Sequence, residues 1–227
     1  MKLIAHERCH LLSLIVMDEI RPWAGAYMPA IFHGIAQRYQ FAIYPTNMEE
    51  GIAKGAKFSH GVMQHDNKSI LVSDIGVYHD GIVVGALTTD YADAIADDLL
   101  SWATSTFSLR APSAQKPRTY TSNVVVEFDR FAQGAFKKYE KMALRMSRAL
   151  RTSRGWDLDV EFQRLALQAD PTRLLPYMMP ATSTMFSIER RGGIPYTDNR
   201  FWCAAPLRSS EHLALLEEIE GDFAERN

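Results

Sequence analysis

The residues with the clearest catalytic spacing form the run His6-Glu7-Arg8-Cys9-His10. This run satisfies the pattern H-E-x-x-H, which places two histidines one turn apart when it lies on a helix. Two imidazoles in that arrangement can share a zinc ion, and the glutamate between them can activate a zinc-bound water. The pattern therefore predicts His6 and His10 as metal ligands and Glu7 as the catalytic base of a zinc-dependent hydrolase.

The surrounding residues favour a structural role for the same histidines. A zinc site needs a third ligand, for which the nearest candidates are Asp18, Glu19 and His33. Arg8 places a positive charge inside the motif, where it would oppose a cation. The alternative is a helix over residues 2–17 whose histidines pack at the edge of the core, and no cofactor is expected in that case.

A second candidate is the basic face of a long helix, expected over about residues 130–151. Its apolar stripe is Phe131, Ala135, Tyr139, Met142, Met146 and Leu150. Its basic stripe is Lys137, Lys141, Arg145 and Arg148. Such a stripe could bind nucleic acid or another polyanion through charge. Pairing with neighbouring acidic helices is the preferred alternative, so a nucleic-acid partner is not favoured.

Two further elements are expected from local patterns. A β-hairpin is predicted over residues 69–84, because Asp80-Gly81 is a common hairpin turn between two β-branched runs. A helix capped by Thr88, Thr89 or Asp90 follows it, with Asp97 and Asp98 on a solvated face. Other strands are expected at 39–44, 57–63, 119–128, 157–167, 184–190 and 201–205, and Ser209 or Ser210 is expected to cap a last helix. The pattern predicts an α+β fold, with mostly antiparallel sheet covered by three or more amphipathic helices.

Composition limits the class of protein. The 227 residues suit two α+β subdomains, 1–110 and 118–227, joined by a proline-flanked linker, or one continuous domain. The net charge of -2 gives no overall attraction to polyanions, and no apolar run is long enough to span a membrane. Cys9 and Cys203 are the only cysteines, which favours a reducing, cytoplasmic location. No internal repeat is visible.

The function that these patterns favour is a non-catalytic protein-interaction or assembly module that binds a protein partner or itself. Two aromatic and methionine-rich stretches, 23–32 and 177–185, lie outside the periodic elements and are expected to form an exposed apolar patch. The zinc hydrolase and the polyanion-binding protein remain the alternatives. The sequence leaves open whether the protein is an enzyme.

Overall fold

The structure of the protein is a computed structural model. The described residues are 1–15, 17–21, 25, 27–46, 54–110, 118–129, 140–170 and 184–222. The strands are β1 (Lys2–His6), β2 (Cys9–Leu14), β3 (Ala56–His65), β4 (Lys68–Tyr78), β5 (Gly81–Ala86), β6 (Arg118–Glu127), β7 (Arg164–Gln168), β8 (Met185–Arg190) and β9 (Arg200–Ala205). The helices are α1 (Met17–Ile20), α2 (Met28–Arg38), α3 (Thr89–Phe107), α4 (Glu140–Arg154) and α5 (Ser209–Asp222), with a 3₁₀ turn at Tyr196–Asp198.

These strands form one nine-stranded sheet in the order β3-β4-β5-β2-β6-β9-β8-β7. Strand β1 also pairs with β6, next to β2, so that β1 and β2 lie end to end along one edge of β6. Every strand pair is antiparallel. The predicted α+β class is confirmed.

The order of strands shows an approximate two-fold relation within the chain. Apart from β1, the four-residue α1 and the 3₁₀ turn, the first half runs β2-α2-β3-β4-β5-α3, and the second half runs β6-α4-β7-β8-β9-α5. Central strands β2 and β6 pair with each other, and the remaining strands continue outward in matching order on either side. The chain therefore contains two copies of one arrangement: a strand, a helix, three antiparallel strands and a second helix.

The pairing of residues between neighbouring strands is also equivalent in the two halves. Cys9 pairs with Ala86 in the first half, and Ser122 pairs with Ala205 in the second. Equivalent ladders follow from these pairs, with Leu11, Val84, Ile75 and Phe58 in one half and Val124, Cys203, Ile188 and Leu165 in the other. Because Cys9 and Ser122 hold equivalent positions on adjacent strands, the two-fold axis passes between them.

One face of the sheet carries the core in both halves. In the first half, helix α2 buries Ile31, Phe32 and Ile35, and α3 buries Ile95 and Leu99. These side chains join the core residues of strands β2 to β5. In the second half, α5 packs its buried Leu216 against β6 and β9, in a smaller cluster. Helix α4 buries none of its residues.

Several local predictions are confirmed. The hairpin of β4 and β5 is present, although it turns at His79-Asp80 and Gly81 is already the first residue of β5. Helix α3 begins after Thr88, whose hydroxyl accepts a hydrogen bond from the Tyr91 amide. The described part of the long helix ends before Gly155, which has a φ of +69° and suits the left-handed conformation of a helix end.

Other predictions are wrong. Residues 2–14 form strands rather than a helix, and of 39–44 only Ile43 joins the sheet, by a single bridge to Ser59. The strand expected from residue 157 begins at Arg164. Residues 130–139 of the long helix, and residues 177–183 of the second methionine-rich stretch, lie outside the described residues.

The proposed division into 1–110 and 118–227 stays a prediction, since one sheet runs through both segments and β1 pairs within the second. Within the described ranges, no helix combines the length and apolar character that crossing a membrane requires.

Candidate functional site

The structure does not bring His6 and His10 onto one face of the sheet. His6 pairs with Val124, and His10 pairs with Thr121. Because side chains alternate along a strand, positions 121 and 124 of β6 face opposite sides. His6 therefore lies on the helix-covered side and His10 on the other. Shared zinc binding stays a prediction, but the helical spacing on which it rested is absent.

Each polar side chain of the motif has its own neighbours. The His10 Nε2 lies 3.8 Å from the Asp74 Oδ1, and Arg8 approaches the same oxygen at 2.7 Å. Burial lowers the pKa of His10, and Arg8 lowers it further, against the opposing effect of Asp74. Glu7 forms an ion pair with Arg191 at 3.0 Å. The carboxylate predicted as a catalytic base thus helps to hold β1 near the turn after β8.

A metal centre is not evident elsewhere in the described part of the chain. Those residues contain no group of three or more histidine, cysteine, aspartate or glutamate side chains placed to hold a metal ion.

A buried polar cluster, which we call the axis cluster, lies at the two-fold axis, where the N-termini of α3 and α5 meet. The Thr89 amide donates to the Ser209 Oγ at 3.1 Å, and the Ser209 amide donates to the Thr89 Oγ1 at 2.9 Å. Each side chain thereby satisfies an amide at the start of the other helix, where backbone donors lack intrahelical partners. The Cys9 Sγ lies 3.7 Å from the same Ser209 Oγ.

His212 joins this cluster through Ser122. Its Nδ1 lies 3.1 Å from the Ser122 Oγ, while its Nε2 is buried without a hydrogen-bond partner among the described residues. Burial lowers the pKa of His212 to about 4, so the imidazole is neutral at pH 7. Ser122 and His212 are both 0% exposed. A hydroxyl and an imidazole at this distance resemble a nucleophile and its base, but no substrate can reach them in this conformation, so we assign the pair a structural role.

Two arginines form ion pairs with one aspartate beside this cluster, and we call this arrangement the Asp93 clamp. Arg118 and Arg208 both pair with the Asp93 carboxylate, which also accepts a hydrogen bond from the Tyr120 hydroxyl at 3.1 Å. The Arg208 guanidinium lies 4.3 Å from the centre of the Tyr120 ring. These contacts tie α3 to β6 and to the start of α5.

The acidic face of α3 is paired rather than simply solvated. Asp98 receives two hydrogen bonds from Arg38, the last residue of α2, at 2.6 and 2.9 Å. It also accepts one from the Tyr39 hydroxyl at 2.7 Å. Burial opposes ionisation of Asp98, but these hydrogen bonds outweigh it and hold the pKa of the carboxyl below its ordinary value. Asp97 pairs with Arg118.

The predicted basic stripe lies on the exposed helix α4. Lys141, Arg145 and Arg148 are exposed, and among the described residues none of them forms an ion pair. Lys137 lies outside the described residues. No described ion pair joins α4 to α3 or α5, so the predicted neutralisation by an adjacent acidic helix is not seen in this part of the chain.

The same region exposes an unusual amount of apolar surface. We call it the 142–167 surface, and its members are Met142, Leu144, Met146, Trp156, Leu158 and Leu167. Each of them is at least half exposed. A cleft of about 690 Å³ opens between α4 and residues 160–164. In the first stretch predicted to be exposed, Tyr27 is 74% exposed, whereas Ile31 and Phe32 are buried on α2.

Neither the family models nor the curated proteins compared with this chain match it. The residues that sequence reasoning missed are those of the axis cluster and the Asp93 clamp. Of these, only Thr89 and Ser209 carried a local signal, as candidate helix caps. The others come together through strand register.

Proposed function

We propose that this protein is a non-catalytic assembly module that self-associates through the 142–167 surface. The supporting observation is helix α4, which is amphipathic and yet buries no side chain. Met142 is 64% exposed and Met146 is 51% exposed on its apolar face. Large apolar side chains exposed together on one helix face are typical of a partner-binding surface.

Sedimentation velocity over a wide range of protein concentration tests this proposal. The wild-type protein is expected to form a dimer or a larger species as concentration rises. The double variant Met142→Glu/Met146→Glu should remain monomeric, because burying two carboxylates at an interface is strongly unfavourable.

A matched control is Leu71→Glu on β4. Leu71 is 49% exposed, so this change adds a carboxylate at a comparably exposed apolar position in the other half of the protein. It should leave association unchanged. A wild-type protein that stays monomeric at all concentrations would exclude the proposal, and so would an oligomer that tolerates the methionine substitutions.

Polyanion binding through α4 is a second candidate, favoured by the exposure of Lys141, Arg145 and Arg148 without described ion pairs. Binding of duplex or single-stranded DNA, measured by fluorescence anisotropy, should weaken steeply with added salt because phosphate contacts release counterions. Arg145→Gln/Arg148→Gln should weaken it further, whereas Lys57→Gln/Lys68→Gln on β3 and β4 should not. Binding that is insensitive to both salt and these changes excludes this candidate.

A further inference from the structure

The two-fold relation identifies a surface in the second half that is the counterpart of a docked helix in the first. Helix α2 lies between the first two strands of its half in chain order, as α4 does in the other half. Helix α2 packs Ile31, Phe32 and Ile35 into the core beside α3 and β3. Helix α4 has no buried residue.

The surface that α2 covers in the first half is only partly covered in the second. Leu165 of β7 holds the register position of the fully buried Phe58, yet it is only half-buried. Phe186, Leu213 and Ile219 are also only partly buried around the second core cluster. Among the described residues, no helix occupies the place beside α5 that α2 occupies beside α3.

The charges of α4 and α5 are complementary. Helix α5 contains no lysine or arginine, and its carboxylates are Glu211, Glu217, Glu218, Glu220 and Asp222. Helix α4 contains Glu140 as its single acidic residue and carries Lys141, Arg145, Arg148, Arg151 and Arg154. Two copies of α4 would repel each other, whereas α4 and α5 would attract.

The first half shows how such a pair of helices is joined. Arg38 of α2 makes its two hydrogen bonds to Asp98, nine residues after the first residue of α3. Glu218 lies nine residues after the first residue of α5 and is therefore the counterpart of Asp98. It is exposed and, within the described ranges, has no ion-pair partner, as is also true of Glu217.

Helix α4 is held by the segment that follows it, while none of its own side chains is buried. Beyond the helix itself, its described hydrogen bonds run to the segment that follows it, from Arg151 to Asp157 and from the Val160 amide to Ser147. Residues 155–163 separate α4 from β7 without regular structure. Glu161 and Gln163 of this segment are hydrogen-bonded to Arg190 of β8, so its far end is fixed to that strand.

We propose that α4 docks on a second copy of this chain, over the partner's α5, β7 and β8, and that the exchange is reciprocal. Met142 and Met146 cover the half-buried apolar side chains of that surface, and Arg145 and Arg148 face Glu217 and Glu218. This inference rests on the proposed self-association, and it names the receiving surface.

A charge-exchange experiment tests this arrangement. One variant, Glu217→Arg/Glu218→Arg, reverses the charge of the receiving helix α5. The other, Arg145→Glu/Arg148→Glu, reverses the charge of the docking helix α4. For each variant alone, the dimer dissociation constant should be at least about 100-fold higher than for wild type, because both exchanged contacts become repulsive. Mixed in equal amounts, the two should form a heterodimer, in which both contacts are again attractive. Asp80→Arg, at the β4-β5 turn, should leave association unchanged.

The possible outcomes separate this inference from the proposed function. If Met142→Glu/Met146→Glu abolishes association while Glu217→Arg/Glu218→Arg has no effect, the 142–167 surface mediates assembly but α5 does not receive it, and the inference is overturned alone. If each charge variant is monomeric and mixing fails to restore association, docking between copies is likewise refuted. A monomeric wild-type protein overturns both. Circular dichroism of each variant confirms that it is folded.

Discussion

Thr89 and Ser209, 120 residues apart in the chain, each accept a hydrogen bond from the other's backbone amide. In most helices, a residue just before the first turn provides such a bond. Here two equivalent helices cap one another across the internal two-fold axis. The halves of the protein are therefore joined by a pair of polar contacts as well as by strands β2 and β6.

Removing either hydroxyl should destabilise the protein, because a buried amide then loses its acceptor. Thr89→Ala and Ser209→Ala should each lower the free energy of unfolding by about 1–2 kcal/mol. The double variant should cost less than the sum of the single ones, since both bonds belong to one network. Urea denaturation measures these values. Ser105→Ala is the control, because that exposed hydroxyl bonds only to the Trp102 carbonyl within its own helix. Strict additivity would show that the two caps are independent.

His212 should make stability depend on pH between about 4 and 6.5. Burial lowers the pKa of His212 to about 4 in the folded protein, whereas an unfolded histidine titrates near its ordinary value of 6.5. The unfolded chain thus binds more protons in this range, so stability should fall as the pH drops through it. The loss reaches on the order of 3 kcal/mol once the pH nears 4.

The measurement is the difference in pH dependence between wild type and His212→Gln. The variant should show a shallower decline between these pH values, whatever its absolute stability. His79→Gln is the control, because that side chain is 91% exposed and should leave the slope unchanged. Parallel curves for wild type and His212→Gln would contradict the predicted contribution of burial.

The sequence predicted those parts of the fold that depend on neighbouring residues. The hairpin of β4 and β5 and the end of α4 at Gly155 were both recognisable, although the hairpin turns at His79-Asp80 and Gly81 lies in β5 without a positive φ. Strand β2 was not recognisable from the sequence. Leu11 and Ile15 lie on one face and Leu12 and Leu14 on the other, so apolar and polar residues do not alternate. Apolar side chains on both faces gave the run a helical period by coincidence.

The internal repeat was hidden for a related reason. The register is equivalent in the two halves, while the residue types differ: Cys9 corresponds to Ser122, and Val84 to Cys203. A buried position is specified by size and lack of charge, so unlike residues fill equivalent places. The axis cluster depends on this register and could not be assembled from spacing along the chain. The same applies to His6 and His10, whose positions on opposite faces of the sheet follow from strand geometry and not from their spacing in the sequence.

Asp98 should contribute more to stability than its neighbour Asp97. Asp98 holds both Arg38 and the hydroxyl of Tyr39, and Tyr39 is 0% exposed. Asp98→Ala should cost about 1.5–3 kcal/mol, because it leaves the buried tyrosine hydroxyl without this acceptor. Asp97→Ala removes a contact of a side chain that is 65% exposed and should cost less than about 1 kcal/mol.

The Asp98 contribution should also disappear in acid. Its pKa is lower in the folded protein than in the unfolded chain, where it is near 3.8. The stabilisation is therefore present above the unfolded value and lost as the pH falls through the folded one. Thermal unfolding of wild type and Asp98→Ala at several pH values should converge at low pH. Equal losses for Asp97→Ala and Asp98→Ala at pH 7 would exclude this ranking.

Two glycines should respond oppositely to alanine. A Cβ at Gly81, the first residue of β5, would overlap the carbonyl oxygen of Ser13 and lie 3.1 Å from the Cα of Leu14. Because backbone atoms cannot move away as a side chain could, Gly81→Ala must separate β2 from β5 and should cost at least about 2 kcal/mol. Gly221 lies in the last turn of α5, and a methyl group added there would meet no described atom within 4 Å outside the neighbouring turns of the helix. Gly221→Ala should stabilise the protein by up to about 1 kcal/mol, since alanine favours the helix and restricts the unfolded chain. Urea denaturation compares the two, and a tolerated alanine at position 81 would show that β2 and β5 do not pack as closely there as described.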